Sequence, residues 1–136
     1  MADAVTSQTI LDGDRLYIAK YTNISDGTGE TAVTKVDVST LAPNQFGLAC
    51  TSVTLQKIWA MTDGMGVNIL WDATADVICV TVPQNEMYTM DYREFGGIIN
   101  NSGAGKNGNV LFTTTSVTAG DRYTIILEFT KNYASA

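Results

Sequence analysis

The residue types in this chain exclude much of enzyme chemistry, because the 136-residue sequence contains no histidine. Ser-His-Asp and Cys-His catalysis, imidazole metal sites and histidine acid-base catalysis are therefore absent within one chain. The Gly-rich segment 96–108 superficially resembles a phosphate-binding loop. A P-loop needs a glycine five residues before its Gly-Lys pair and a hydroxyl after it, whereas Asn100 and Asn107 occupy those positions. We expect a surface loop that makes contacts, without a nucleotide site.

Two short acidic stretches could in principle bind a cation or act as a carboxylate pair. They are 12–14 (Asp-Gly-Asp) and 26–30 (Asp-Gly-Thr-Gly-Glu). Calcium needs six or more oxygen ligands, and neither stretch has the alternating acids of an EF-hand loop. Acids scattered over turns make some close pair inevitable, so no pair stands out as a glycosidase dyad. We expect solvated turns, and we expect no metal, no cofactor and no catalytic residues.

A set of aromatic residues could form a core, a protein interface or a platform on which sugars stack. These residues are Trp59, Trp71, Tyr88, Tyr92 and Phe95. Core positions are the first expectation for the set, and an interface is the second. Methionines crowd the same segment, and Met and aromatic residues are enriched where proteins meet. Together with the Gly-rich loop, this predicts interface residues Met87, Tyr88, Met90, Tyr92, Phe95, Asn100, Asn101 and Lys106.

Charge and hydropathy exclude two classes of partner. The formal net charge is −6, and no cluster of Lys or Arg gathers into a patch, so a nucleic acid backbone would be repelled. No apolar run approaches the roughly 20 residues that span a bilayer, and the opening residues lack the pattern of a secretory signal. We expect a soluble protein that binds neither nucleic acid nor membrane.

The composition favours β-structure, because β-branched Thr, Val and Ile outnumber Glu and Lys. The clearest period-two pattern covers 122–130, where Tyr123, Ile125, Leu127 and Phe129 share one face and Ile126 is an apolar exception on the other. Further strands are predicted at 5–11, 15–22, 31–38, 53–61, 67–71, 76–82, 86–92 and 110–115.

Many short strands in one small domain predict an all-β fold, an antiparallel β-sandwich of jelly-roll type with about eight to nine strands. Asp63-Gly64 between two alternating runs predicts a hairpin. We expect one domain over 1–136, with extended arms at 1–8 and 131–136 that order on docking. Cys50 and Cys79 are too far apart for a CxxC motif, and two reduced thiols are expected ahead of one disulfide.

Several short turn and strand motifs are distributed over nearly the whole chain. They are Asp12-Gly13-Asp14-Arg15 and 21–30 within residues 1–37, Gly64-Met65-Gly66-Val67, Leu70-Trp71-Asp72-Ala73, Phe95-Gly96-Gly97-Ile98 and Asn100-Asn101. In these motifs the chain resembles a group of small virion structural proteins of tailed bacteriophages. All-β proteins of this length within phage particles are similar to the decoration or cement proteins of the capsid surface, which are often trimers.

The resemblance implies a non-catalytic protein that binds the outside of a phage capsid and stabilises it. The implied partners are the major capsid protein and further copies of the chain, as a homotrimer. The implied location is the capsid surface of the virion, with assembly in the host cytoplasm. One alternative is a tail-associated host-recognition or carbohydrate-binding module, in which the aromatic residues and the Gly-rich loop contact sugar. A minor head protein or tail adaptor is a further alternative.

Overall fold

The computed structural model describes residues 3–133, which form nine β-strands and two single-turn 3-10 helices. The strands are β1 (Ala4–Asp12), β2 (Leu16–Ile24), β3 (Val33–Val36), β4 (Cys50–Asp63), β5 (Gly66–Trp71), β6 (Val77–Val82), β7 (Met87–Asp91), β8 (Val110–Thr115) and β9 (Arg122–Tyr133). The 3-10 helices are Val38–Thr40 and Arg93–Phe95. The prediction of an all-β chain with about nine strands is confirmed.

Two antiparallel sheets face each other across one core. One sheet has the order β1-β2-β9-β4-β7, and the other has the order β3-β8-β5-β6. When β1 is set aside, four strands in the order β2-β9-β4-β7 face four in the order β3-β8-β5-β6, which is the strand order of a jelly roll. The predicted jelly-roll β-sandwich is therefore confirmed, with β1 added beside β2 at one edge.

The core is built from the alternating positions that the sequence identifies. On β9, the side chains of Tyr123, Ile125, Leu127 and Phe129 are all buried between the sheets. The opposite sheet contributes large side chains from β5 and β8, of which Trp71 is fully buried. Burial of apolar surface contributes about 25 cal/mol per Å² to the free energy of folding, and it is the main favourable contribution of such a core.

The predicted hairpin at Asp63-Gly64 is wrong. Gly64 takes the positive φ of a turn, but β4 pairs with β7 and β9 whereas β5 pairs with β6 and β8. The turn therefore carries the chain from one sheet to the other. Each strand directs one apolar face into the same core, so the alternation is the same whether two strands lie side by side or face each other. The residue pattern alone does not distinguish the two arrangements.

The segments predicted as arms are largely strands. Residues 4–8 belong to β1, which pairs with β2, and residues 131–133 belong to β9. Met1, Ala2 and residues 134–136 of those predicted arms lie outside the described residues. The end of β1 is fixed by Lys131, whose buried ammonium group donates to the Asp12 carboxylate and to the carbonyl oxygens of Gly13 and Ala42.

Both cysteines are free thiols, as the sequence favours. Cys50 begins β4 in the five-stranded sheet, and Cys79 lies on β6 in the four-stranded sheet. Burial raises the pKa of the Cys79 thiol to about 12. The two side chains act as small apolar groups of the sandwich.

Candidate functional site

The strand β7 forms one edge of the five-stranded sheet, and β4 is its only partner among the described strands. Its register places Met87 beside Met61 and Thr89 beside Trp59. Met87 is 83% exposed and Met61 is 46% exposed, so their thioethers reach solvent on the outer face of the sheet. Exposed methionines placed side by side are unusual on a monomer, because apolar side chains of this size normally lie in a core.

The outer face of the next strand extends this apolar surface. Ile126 of β9 lies directly beside Trp59 of β4, and Thr124 lies beside Met61. These side chains line a shallow depression of about 230 Å³. We call this surface the outer patch, and its residues are Trp59, Met61, Met87, Thr89, Thr124 and Ile126. The apolar exception at Ile126 in the β9 pattern is therefore part of an exposed surface rather than a fault in the alternation.

A row of charged residues borders the outer patch. Lys57 lies beside Asp91 on one side and beside Glu128 on the other. Arg93 donates to Asp91 at 2.8 Å and to Glu128 at 3.3 Å. The hydrogen bonds from Arg93 lower the pKa of the exposed Asp91 carboxyl to about 2, so it is ionised at neutral pH. An apolar centre with a polar rim is the usual anatomy of a protein-binding surface.

The ammonium group of Lys57 also lies over the Trp59 ring, 4.7 Å from the ring centroid. This cation–π contact covers part of the indole face and fixes the ring beside the charged row. The outer patch therefore presents the thioethers and the remaining edge of Trp59 rather than a bare indole plane. Such a surface suits the irregular side chains of a protein better than a flat sugar ring, because methionine adapts its shape to a partner.

The structure separates the predicted interface residues into exposed and supporting groups. Met87, Met90 and Phe95 are exposed, and Tyr88 is half-buried. Tyr92, in contrast, is only 6% exposed and belongs to the core, which corrects its prediction as a contact residue. Burial and the 3.2 Å hydrogen bond to Tyr88 raise the pKa of the Tyr92 hydroxyl. Tyr92 is buried because it continues the alternation of β7 onto the inner face, where Tyr88 also lies.

The predicted residues of the Gly-rich loop lie at the other end of β4. They border a polar pocket of about 440 Å³ lined by Thr51, Ser52, Ile99, Asn100, Lys106, Asn107, Gly108 and Asn132. Asn100 accepts hydrogen bonds from the Ser102 backbone and hydroxyl groups at 2.9 and 2.5 Å. Its buried Nδ2 has no hydrogen-bond partner within residues 3–133. Asn101 and Lys106 are exposed beside this pocket.

Backbone hydrogen bonds fix the Gly-rich loop at two points. Ile98 and Leu55 exchange a pair of bonds of 2.8 and 3.0 Å, and the Ala104 carbonyl accepts from the Thr74 amide at 3.1 Å. The loop is therefore an ordered wall of the polar pocket. The structure brings Asn100 and Lys106 together but separates them from the β7 residues along β4.

The aromatic residues considered for a sugar platform do not form one. Trp71 is completely buried in the core, and Tyr92 is nearly so. Phe95 is exposed, but its ring packs against Tyr92 with the centroids 6.0 Å apart and the planes tilted by 55°. The core expectation holds for Trp71 and Tyr92. Of the other three residues considered, Phe95 is exposed, and Trp59 and Tyr88 are partly exposed.

Carboxylates of the two acidic stretches interact with lysine ammonium groups and with a tyrosine hydroxyl. Glu30 pairs with Lys35 at 2.5 Å and accepts from the Tyr123 hydroxyl at 2.6 Å. Asp12 is held by Lys131. Within the described part of the chain, no group of three or more Cys, Asp or Glu side chains is placed to hold a metal ion. These carboxylates therefore act as hydrogen-bond acceptors that fasten turns to strands.

Comparisons with known proteins identify no family for this chain. No family model and no curated protein matches the chain. A solved structure of a mutant of CBM29-2, a family 29 carbohydrate-binding module, is similar over 94% of this chain and 92% of that chain. The identity is 10% and the TM-score is 0.37, a level that supports no conclusion about ligand or function. Separately, residues 3–133 include no helix of a length and hydropathy suited to crossing a membrane.

Of the six outer-patch residues, only Met87 was among the predicted interface residues. The missed residues include two large apolar side chains, Met61 and Ile126. Each lies on a long strand whose sequence does not indicate which neighbour it pairs with. The register of β4 between β7 and β9 brings them beside Met87 and Trp59. The available signal was the apolar Ile126 on an otherwise polar face, which is the kind of exposed apolar position that marks a contact surface.

Proposed function

We propose that the protein is a non-catalytic structural protein of a tailed-phage virion, which binds the outside of the capsid and stabilises it. The observation that carries this proposal is the outer patch, an exposed apolar surface of methionine, tryptophan and isoleucine bordered by ion-paired side chains. The resemblance of the turn and strand motifs to those of small virion proteins supplies the choice of partner. The major capsid protein is the proposed binding partner, and the capsid surface is the proposed location.

The physical basis of such a role is linkage between binding and assembly. A protein that binds the assembled lattice but not the free subunits stabilises the lattice by mass action, and no reaction is needed. The jelly roll provides a rigid support, because the outer patch lies on β4, β7 and β9 of one hydrogen-bonded sheet. A preformed surface binds with a smaller loss of conformational entropy than a mobile one.

The proposed assembly is a homotrimer, which would place three outer patches on neighbouring capsid subunits. Three linked contacts bind far more tightly than one, because the second and third form at high effective concentration. The net charge of −6 keeps the free protein soluble and would steer it towards a basic surface. Sedimentation at several protein concentrations measures the mass relative to 14.6 kDa, and a mass that is not a multiple of three chains would contradict the trimer.

Rebinding to heads from which the protein has been removed tests the proposed function. The protein should bind with saturable, lattice-like stoichiometry and raise the temperature at which the heads release DNA. Met87→Lys places a charge in the outer patch, and we expect its affinity for heads to fall at least about tenfold. Ile78→Lys is the matched control, because Ile78 is a similarly exposed apolar residue on β6. Its affinity should stay within about twofold of the unchanged protein.

Equal loss of binding in both variants, or binding at a single vertex only, would contradict a decoration role. The second outcome would favour a tail adaptor. Circular dichroism of each variant separates loss of binding from loss of the fold.

A tail-associated carbohydrate-binding module remains the second candidate. The observation that favours it is the polar pocket beside Asn100 and Lys106, whose lining is rich in amide and hydroxyl groups. Such groups form the hydrogen bonds that orient a sugar in a binding site. Binding of a glycan on an array, lost in Lys106→Ala but kept in Met87→Lys, would support this candidate over capsid binding.

A further inference from the structure

We propose that two copies of this chain join edge to edge through β1, antiparallel and about a twofold axis at Ser7. Their five-stranded sheets would then form one continuous sheet. This contact is independent of the proposed function, because it uses the edge opposite β7 and requires no capsid. The occupant of the β1 edge is therefore a second copy of the same chain.

The first observation is that β1 is exposed on both faces. Residues Ala4 to Leu11 are all exposed, and only Asp12 is partly covered. The four-stranded sheet does not extend beneath β1, so side chains that alternate between the two faces reach solvent alike. Val5 is 46% exposed and Ile10 is 51% exposed. A partner that extended the sheet would cover main-chain groups and apolar side chains together.

The second observation is that β1 lacks the usual protection of an edge strand. Native proteins shorten edge strands or place charges on them, because an unpaired row of N–H and C=O groups is a template for another strand. The edge strand β3 has only four residues, includes Lys35 and has a register shift. The edge strand β7 ends at the ion-paired Asp91. In β1, no charged residue occurs from Ala4 through Leu11.

The remaining edge strand, β6, is also uncharged, but its side chains are less exposed than those of β1. Val77, Cys79 and Val80 are partly buried and pack against the core, and Val82 is buried. Its six residues also include a register shift in the pairing with β5. The β1 edge is therefore the longer and more exposed of the two uncharged edges.

The absence of charge favours a second copy as the occupant. A twofold axis perpendicular to the sheet keeps each side chain on its own face and brings every near-axis residue close to its own counterpart. Any charged residue there would face the same charge, which is destabilising. With the axis at Ser7, Val5 pairs with Thr9 and Thr6 pairs with Gln8. Each of these pairs is neutral, and Val-Thr combines two β-branched side chains that suit a sheet.

Both ends of β1 are held in place before any pairing. The Asp3 carboxylate accepts hydrogen bonds of 3.0 to 3.2 Å from the backbone of Asp26 and Gly29 and from the Ser25 hydroxyl. At the other end, Asp12 is bound by Lys131. The β-bulge between Thr9 and Leu11 confines regular pairing to the residues before it. The edge is thus a short, preorganised strand, which lowers the ordering cost of association.

Disulfide trapping tests the geometry directly. Residues opposite each other in an antiparallel pair have Cβ atoms about 4.5–5.5 Å apart, close to the range that a disulfide spans. Ser7→Cys should therefore form a covalent dimer of the full chain under mild oxidation. Thr81→Cys is the matched control, because Thr81 is an exposed residue on the β6 edge and the same native cysteines are present. It should form less than about a tenth as much covalent dimer.

Sedimentation equilibrium of charge variants tests the energetics. Ser7→Lys places two ammonium groups next to each other at the axis, so the dissociation constant for the β1 contact should rise at least about tenfold. Thr81→Lys adds the same charge at the β6 edge, and the dissociation constant for the β1 contact should stay within about twofold of that of the unchanged protein. An unchanged association in Ser7→Lys, an equal effect in Thr81→Lys, or no covalent dimer from folded Ser7→Cys would overturn the proposal. Head binding that persists in Ser7→Lys would leave the proposed function standing.

Discussion

The hydroxyl of Tyr123 donates a 2.6 Å hydrogen bond to the carboxylate of Glu30, linking the start of β9 to the loop before β3. Glu30 is also bound by Lys35 and by the side-chain amide of Asn23, and all four side chains are largely buried. Burial and the bond to Glu30 raise the pKa of the Tyr123 hydroxyl, so it stays protonated and acts as a donor. This network fastens the two sheets together at one end of the sandwich.

Removing that donor should destabilise the fold. Tyr123→Phe leaves a buried carboxylate short of one hydrogen bond, and the free energy of unfolding should fall by about 1–3 kcal/mol. Urea denaturation followed by tryptophan fluorescence measures the change. Tyr133→Phe is the control, because the Tyr133 hydroxyl bonds the Asp14 carbonyl at a more exposed position, and its effect should be about 0.5 kcal/mol or less. Equal losses of unfolding free energy in the two variants would show that the hydrogen bond to Glu30 contributes no more stability than an exposed one.

The Asp3 carboxyl should make stability depend on acid pH. Burial acts to raise its pKa, but hydrogen bonds from Asn23, Gly29, Asp26 and Ser25 together lower it below the ordinary 3.8. A carboxyl whose pKa is lower in the folded state contributes stability above the unfolded value, and this is lost as pH falls through the folded value. Asp3→Asn should therefore lower the unfolding free energy at neutral pH.

Denaturation across a pH series provides the measurement for this prediction. The curves of Asp3→Asn and the unchanged protein should differ most at neutral pH and converge as the pH falls below about 4, where Asp3 becomes protonated. A difference that stays constant from neutral to strongly acid pH would contradict a contribution from the Asp3 charge.

A glycine at the wall of the polar pocket should be intolerant of a side chain. Gly108 has a φ of +85°, and an added Cβ would overlap the backbone carbonyl oxygen of Thr51. Gly108→Ala should lower the unfolding free energy by about 2–4 kcal/mol, because backbone strain and overlap with a fixed strand add together. Thermal and urea denaturation measure the loss.

Gly96 offers the matched control for that substitution. Its φ is +88°, but no atom of the described residues 3–133 lies within 4 Å of an added Cβ. Gly96→Ala should therefore cost only the strain of the left-handed conformation, about 1–2 kcal/mol. If the two variants lose the same stability, the close approach of the loop to β4 has no energetic effect.

The two thiols should be slow to react in the folded protein. Burial raises the pKa of Cys79 to about 12 and also raises that of the buried Cys50, so little thiolate is present at mildly alkaline pH. A disulfide reagent should label native protein at least about a hundredfold more slowly than a free thiol. In denaturant, the protein should react with two equivalents of the reagent without prior reduction. A yield near zero would show a disulfide.

Much of the fold was accessible from the sequence because strand alternation is a local property. The pattern at Tyr123 and Phe129 identified a core face, and the predicted strand at 110–115 coincides with β8. The pairing partners were not accessible, since two strands that share a core have the same alternation whether or not they are neighbours. This explains why the turn at Asp63-Gly64 was predicted as a hairpin although it crosses between sheets.

The candidate site was predicted only in part for the same reason. Met87 was identified as an interface residue because methionines and tyrosines lie next to it in the sequence. Met61 joins it only through the β4–β7 register, and Ile126 joins through the β4–β9 register. Tyr92 was misassigned because the methionines and tyrosines of this segment are distributed over the two faces of the sheet, and Tyr92 continues the inner face on which Tyr88 lies.

The last strand of residues 3–133, β9, lies between β2 and β4 in the middle of its sheet. On a ribosome, β2 and β4 would emerge without the strand that lies between them. The pairs β1–β2 and β4–β7 can be joined into one sheet only after synthesis has passed Arg122, and the long loops that then close make folding slow. Nascent chains stopped before that residue should therefore be held by chaperones and degraded, with no partly assembled sandwich accumulating.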